Sequence, residues 1–258
     1  MKFPCASFRP LHRLALPTAL ALLLAGCPGS TSVTTHTESS ADGATTTIVT
    51  SGVSYSYSSG FSTSPAVAGS GKSATENRPI AAFSKIKVEG AVVIDAALGP
   101  ATVLTITTDD NLLPIFETKI EGDTLHIHPT SNYNTKLGVR VKITTPTLNA
   151  VTAAGACNVQ AHDLDTPTFA LDISGTSSAQ LAGKAETLQI QISGAGNLKA
   201  TDFPAQNVKI DISGTGAAKV CATAALDATI SGAGSVRYSG HPAQVKKNVS
   251  GVGSIQEE

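Results

Sequence analysis

Leu171-Asp172-Ile173-Ser174-Gly175-Thr176-Ser177 returns as Ile190-Gln191-Ile192-Ser193-Gly194-Ala195-Gly196 and again as Ile210-Asp211-Ile212-Ser213-Gly214-Thr215-Gly216. Looser copies lie on either side, at Ala154-Gly155-Ala156-Cys157, Ser231-Gly232-Ala233-Gly234 and Ser250-Gly251-Val252-Gly253. The leading glycines advance by 20, 19, 20, 18 and 19 residues, which marks one coil repeated and stacked. Two places before each glycine stand Ala153, Ile173, Ile192, Ile212, Ile230 and Val249. Four places before stand Val151, Leu171, Ile190, Ile210, Ala228 and Lys247, and four places after stand Val159, Ala179, Leu198, Ala218, Val236 and Ile255. The intervening positions carry Asp172, Gln191, Lys199, Asp211, Lys219 and Arg237, so the pattern is strand alternation with apolar residues inward.

Copies this short cannot contain a crossover helix, so the expected fold is all-β: a parallel β-solenoid with short Gly-rich corners, its coils about 4.8 Å apart. Glycine suits such a corner because it accepts positive φ and has no Cβ to strike the next coil. Cys157 and Ser177 stand where later copies have a second glycine, so that place requires smallness. Each coil buries roughly four aliphatic side chains at about 1.5–3 kcal/mol each, too little to order some nineteen residues alone. Stability is therefore expected from the stack. In the last copy Lys247 replaces an inward aliphatic and Gln256-Glu257-Glu258 follows, which reads as a cap over an open strand edge.

Before the repeat, Ile80–Gly90, Val92–Asp95, Val103–Thr107, Thr124–His128 and Val139–Thr144 alternate as strands. Gly99-Pro100, Asp109-Asp110-Asn111 and Glu121-Gly122-Asp123 punctuate them as turns. Only the stretch from Leu112 to Phe116 suits a short helix, limited by Pro114. The coils are expected to begin near Val88, with longer arms in the first half.

Several of these motifs together resemble one known family. An opening Arg-x-x-x-x-Phe-x-x-Ile-x-Val spans Arg78 to Val88, a Gly-Asp-Thr-Leu-x-Ile hairpin spans Gly122 to Ile127, and Ile143-Thr-x-Pro146-x-Leu148 leads into the repeated Ile-Ser-Gly-x-Gly. The chain over about residues 79–258 is similar to the putative auto-transporter adhesin, head GIN domain family. The resemblance implies a β-solenoid on secreted or lipid-anchored bacterial envelope proteins, with no catalytic residues to carry over.

The N-terminus reads as an export segment. Residues 1–26 carry Lys2, Arg9 and Arg13, then an apolar run from Leu14 to Leu24, and end in Leu24-Ala25-Gly26-Cys27. This is the pattern of a lipoprotein signal peptide, with Cys27 as the lipid attachment site and Cys5 discarded. Several acyl chains anchor firmly where one binds only marginally. Pro28 stands where an Asp would retain a lipoprotein at the inner membrane, which favours the outer membrane. Residues 27–78 read as the lipidated Cys and a disordered Ser/Thr/Gly-rich tether, with a root-mean-square span of about 40 Å. Val53-Ser54-Tyr55-Ser56-Tyr57 alternates, but its flanks offer no obvious partner. The head is assigned to 79–258. Loss of residues 1–26 leaves 15 Lys and Arg against 19 Asp and Glu, a formal charge of −4, with no Trp, so a nucleic-acid partner is not expected.

Candidate chemistry is sparse. Asp172 and Asp211 share one outward column two coils apart, about 9.6 Å along the stack, a separation that suits an inverting glycan hydrolase. Against this, Thr229 and Asn248 continue the column and no basic cluster flanks the acids to bind uronates. His126 and His128 share one strand face and offer a metal two imidazoles, with Glu121 and Asp123 across the turn, but no third ligand is evident. The Gly-x-Gly corners lack a helix N-terminus for phosphate. The Gly-Gly-x-Gly-x-Asp calcium repeat is absent, and Thr176 and Thr215 alternate with Ala195 and Ala233 instead of forming an ice-binding array. Cys157 and Cys221 lie three coils apart, about 14 Å, too far for a disulfide. The sequence therefore assigns no catalytic residue, no metal site and no cofactor. It predicts a lipid-anchored, non-catalytic binding head for a glycan, protein or envelope surface, with a glycan-active enzyme using Asp172 and Asp211 as the alternative and edge-to-edge assembly as a third reading. The oligomeric state is left open.

Overall fold

A computed structural model of the chain describes residues 34–40, 43–50, 53–58 and 66–258. The expected signal segment 1–26 and the lipid-attachment residue Cys27 lie outside the described residues. The chain divides into two compact units, 1–63 and 64–258.

In the first unit, β1 (Thr34–Ser40), β2 (Gly43–Thr50) and β3 (Val53–Ser58) form a three-stranded antiparallel sheet in that order. Val53, Tyr55 and Tyr57 pair with Thr50, Ile48 and Thr46. The partner that the sequence reading did not find for this patch is the Thr-rich run beside it, whose β-branched residues favour a pleated strand. The described residues of the segment expected as tether thus include these three paired strands.

The second unit opens with β4 (Val67–Ala68) and β5 (Ser73–Arg78), followed by β6 (Lys85–Gly90), β7 (Val93–Leu98) and β8 (Val103–Asp109). A 3-10 turn at Leu113–Ile115 leads into β9 (Phe116–Glu121), β10 (Thr124–Pro129), β11 (Tyr133–Asn134) and β12 (Arg140–Thr145). The repeat contributes β13 (Ala150–Gly155), β14 (Asn158–Ile173), β15 (Thr176–Ile192), β16 (Ala195–Ile212), β17 (Thr215–Ile230), β18 (Ala233–Ser239), β19 (Gln244–Val249) and β20 (Val252–Glu257). Fifteen of these strands make one sheet, and from β13 onward every pairing between successive coils is parallel. The parallel β-solenoid is the architecture of the head.

The inward columns are continuous ladders. Ile127, Val88, Ala153, Ile173, Ile192, Ile212, Ile230 and Val249 are successive rungs of one. Ile94, Val159, Ala179, Leu198, Ala218, Val236 and Ile255 form a second on the far side of the glycine corner. Rungs inside the stack are sealed from solvent, whereas Val249 on the terminal coil is 42% exposed, so burial comes from having a coil on both sides.

The leading glycines also stack. A Cβ on Gly175, Gly194, Gly214, Gly232 or Gly251 would sit 2.0 Å from the carbonyl oxygen of the glycine one coil earlier. Of the column, only Gly90 and Gly155 have positive φ. In the later copies glycine is therefore required by close approach of backbone to backbone and not by left-handed geometry, which separates the two reasons anticipated from sequence. The residue after four of these glycines, Gly194, Gly214, Gly232 and Gly251, donates its N–H to the glycine oxygen one coil earlier, as Ala195 does to Gly175 and Thr215 to Gly194, both at 3.0 Å.

The first half is less regular. β6 pairs in parallel with β13, although some sixty residues separate them, because the chain between them makes an excursion. That excursion contains the antiparallel pairs β8 with β12 and β9 with β10, and β8 also pairs antiparallel with β5, which precedes β6. The β5 pairing and the parallel β4–β11 pair place the start of the head before residue 79, near Val67. Arg78 fixes this entry, its guanidinium donating to the carbonyls of Leu113 at 2.8 Å and Phe116 at 2.5 Å. The expected short helix is present as the 3-10 turn, with Pro114 inside it. No helix among the described residues is long and apolar enough to cross a membrane.

Candidate binding surface

Each coil exposes two broad strips separated by the glycine corner. On the strip before the corner, one outward column runs Lys87, Thr152, Asp172, Gln191, Asp211, Thr229, Asn248. Its neighbour runs Lys85, Ala150, Ala170, Gln189, Lys209, Asp227, Lys246. Cations and carboxylates are mixed here, and Lys246 pairs with Asp227 at 3.4 Å. Asp172 and Asp211 share their column two coils apart, as the repeat predicted, with Gln191 between them. Both line a shallow depression of about 360 Å³ with Thr152, Gln189 and Lys209. The only cation lining it is one lysine, and the two acids are not drawn into a hydrogen-bonded pair.

Beyond the corner the strip differs in charge. One column runs Lys142, Asp95, Gln160, Gln180, Lys199, Lys219, Arg237, Gln256. The adjacent one runs Arg140, Val93, Asn158, Ser178, Asn197, Ala217, Ser235, Ser254. The single acid of the pair, Asp95, accepts from the ring of His162 at 2.8 Å. Asp163, at φ 57°, holds the other ring nitrogen of His162 at 2.7 Å. With carboxylates at both nitrogens, Asp163 first and Asp95 second, the imidazole is held above its ordinary pKa and donates from both sides. Sequence reading passed over His162. The available signal was a break in alternation: the register shifts between Ala161 and Leu164, where Asp163 inserts.

The remaining candidates separate. His126 and His128 do face one side of β10, but each lies toward its own carboxylate on β9, Glu121 at 3.8 Å and Glu117 at 3.5 Å. Asp123 turns instead to Lys85 at 3.2 Å, and that hydrogen bond lowers its pKa. Among the described residues no three His, Cys, Asp or Glu side chains gather for a metal. Cys157 and Cys221 are both free. Burial pushes the Cys157 thiol up, and its backbone N–H donates to Ser177 one coil later at 3.1 Å. Lys247, read as a cap, extends its ammonium to the Ile255 carbonyl at 3.2 Å and over the Tyr238 ring at 4.8 Å, closing the end of the core.

One further group was seen in sequence only as a turn. The buried carboxylate of Asp109 accepts hydrogen bonds from Thr135 Oγ1 at 2.7 Å and from the backbone N–H groups of Gly71 and Lys136 at 2.6 and 3.2 Å. The Thr135 hydroxyl, then these amides, hold its pKa below the usual carboxylate value. Asn111 adds a bond from Nδ2 to the Ala68 carbonyl at 2.8 Å. Asp109-Asp110-Asn111 is thus the clasp that fastens the entering chain to the first coil.

Several solved structures are similar to this chain. A putative adhesin from Bacteroides fragilis is 23% identical over 74% of this chain and 100% of that one, with a TM-score of 0.61. A putative adhesin from Parabacteroides merdae is 24% identical over 74% of this chain and 98% of that one, with a TM-score of 0.49. A putative lipid binding protein from Parabacteroides distasonis is 21% identical over 75% and 100%, with a TM-score of 0.47. No curated protein matches the chain. The family model described as putative auto-transporter adhesin, head GIN domain, matches residues 82–242, and the chain belongs to that family.

Proposed function

We propose that this protein is a non-catalytic binding head of the bacterial cell envelope, held by lipid on Cys27 to the outer membrane, on its periplasmic or its surface side. The observation that carries the reading is the pair of outward strips. Stacking fixes long, regular arrays of Gln, Asn, Ser and charged side chains on a stiff support, a surface that binds by repetition and needs no enclosed pocket. Family membership and the adhesin names of the similar structures agree with this role.

The glycan-active alternative retains one favourable observation, the depression shared by Asp172 and Asp211. Incubation of the purified protein with a polysaccharide panel and isolated cell-wall material separates the two. Retention without cleavage is the expected result; turnover that disappears in Asp211→Asn would replace the binding role with an enzymatic one.

A further inference from the structure

The two strips divide the charge of the head unevenly, and this points to a ligand class. On the strip beyond the corner, Arg140, Lys142, Lys199, Lys219 and Arg237 share the two columns with a single carboxylate, Asp95, already engaged by His162, while Asp202 and Glu258 reach the three central cations from outside the columns. Before the corner, Lys85, Lys87, Lys209 and Lys246 are matched by Asp172, Asp211 and Asp227. Acids gather instead in the middle of the long strands, at Asp163, Asp165, Glu186 and Asp202. A chain with a formal charge of only −1 thus presents one distinctly cationic face.

The three central cations stand on successive rungs. Lys199 pairs with Lys219 and Lys219 with Arg237, so like charges lie directly opposite at about 4.8 Å, an arrangement that opposes folding. Nearby carboxylates relieve it partly: Asp202 lies 3.9 Å from Lys199, and Glu258 lies 2.9 Å from Lys219 and 3.8 Å from Arg237. All three cations remain open to solvent, with side-chain exposures of 57%, 45% and 55%. Around them stand Gln160, Gln180, Asn197 and Gln256, whose amides both donate and accept and so suit sugar hydroxyls. No aromatic side chain occurs in either column, so the face has no platform for stacking bases.

We propose that this strip binds an acidic polysaccharide laid along the stack, its carboxylates over Lys199, Lys219 and Arg237 and its hydroxyls on the flanking amides. The proposal rests on the reading of the head as a binding module and names the face and the ligand class.

The test uses the purified full chain and polygalacturonate, with its neutral methyl ester, dextran, single-stranded DNA and anionic phosphatidylglycerol vesicles as comparisons. Polygalacturonate is expected to bind and to weaken steeply with salt, whereas the ester binds poorly. The variant Lys199→Gln/Lys219→Gln/Arg237→Gln is expected to bind roughly tenfold or more weakly, since each exposed ion contact contributes about 0.2–1 kcal/mol. A charge-matched control, Lys85→Gln/Lys87→Gln/Lys209→Gln, is expected to retain binding, and circular dichroism checks that both variants fold. An equal loss in the control, tighter binding to DNA or vesicles, or failure to bind polygalacturonate overturns the proposal. Retention of dextran or the ester by both variants overturns it too while leaving the binding role of the head intact; cleavage abolished by Asp211→Asn removes that role itself.

Discussion

The carboxylate of Asp109 and the backbone N–H of Gly71 lie 2.6 Å apart, and this contact ties the entering strand to the first coil. Gly71 has φ +84°, and a Cβ on nearby Gly69 would fall 2.7 Å from the same carboxylate, so the entering chain is shaped around this acid.

Asp109→Ala leaves Thr135 Oγ1 and the N–H groups of Gly71 and Lys136 without their acceptor. Residues 66–78 should then exchange amide hydrogens faster and be nicked earlier by protease, with the repeat coils unaffected; unchanged protection of β5 would show that the clasp is dispensable. The lowered pKa adds a pH dependence. Stability from this acid is complete above its unfolded value of about 3.9 and is lost as pH falls through the lower folded value. The gap in urea midpoint between wild type and Asp109→Asn should therefore be wide at neutral pH and close under strongly acid conditions.

His162 works in the opposite sense. Its pKa is raised, so its contribution is complete below the unfolded value of about 6.5 and disappears as pH rises through the folded value. An NMR titration should place the His162 midpoint above 6.5, and Asp163→Asn should bring it down. A midpoint at or below 6.5 would rule out the doubly bonded imidazolium.

Gly194→Ala places a methyl 2.0 Å from the Gly175 carbonyl oxygen, and no side chain can move to admit it. Overpacking of this kind costs about 3 kcal/mol or more, which for a head of this size lowers Tm by about 6–12 °C. Gly122→Ala, where nothing lies within 4 Å and only φ +65° is unfavourable, should cost about 1–2 kcal/mol. Equal effects at the two sites would refute the close-approach explanation.

Thr108 is buried and its hydroxyl finds no partner among the described residues. Thr108→Val keeps the shape and removes the unsatisfied oxygen, so it should raise stability by about 1 kcal/mol, measured as a higher denaturant midpoint at unchanged slope. A loss of stability would mean that the hydroxyl has a partner after all.

Lys247 occupies an aliphatic column at the terminal coil, where Val245, Val249 and Val252 are 40%, 42% and 82% exposed. Lys247→Leu should extend the apolar patch and produce concentration-dependent association in sedimentation experiments, while Lys247→Glu should not. Identical sedimentation of both variants would remove the capping role.

The repeat was legible because each rung states its environment twice, by period-2 alternation and by return after about nineteen residues. Ile173, Ile192 and Ile212 could be placed on one ladder from spacing alone, and Asp172 and Asp211 on one outward column. Asp109 could not be placed, because its partners Gly71 and Thr135 lie 38 and 26 residues away in sequence and do not repeat. The same holds for the start of the head, since β5 reads as a polar run (Ser73-Ala-Thr-Glu-Asn-Arg78) and owes its strand state to β8. The basic ladder was visible as three letters, Lys199, Lys219 and Arg237, but only the structure shows that Asp202 and Glu258 reach it from outside the column and that His162 occupies Asp95.

The column of touching glycines also bears on how such a protein changes size. Because each winding meets the one before it through the same bare contact, excising or duplicating a whole winding would rejoin equivalent surfaces. Length can thus vary in discrete steps, lengthening or shortening the array of exposed side chains while the clasp at one end and the lysine lid at the other stay as they are.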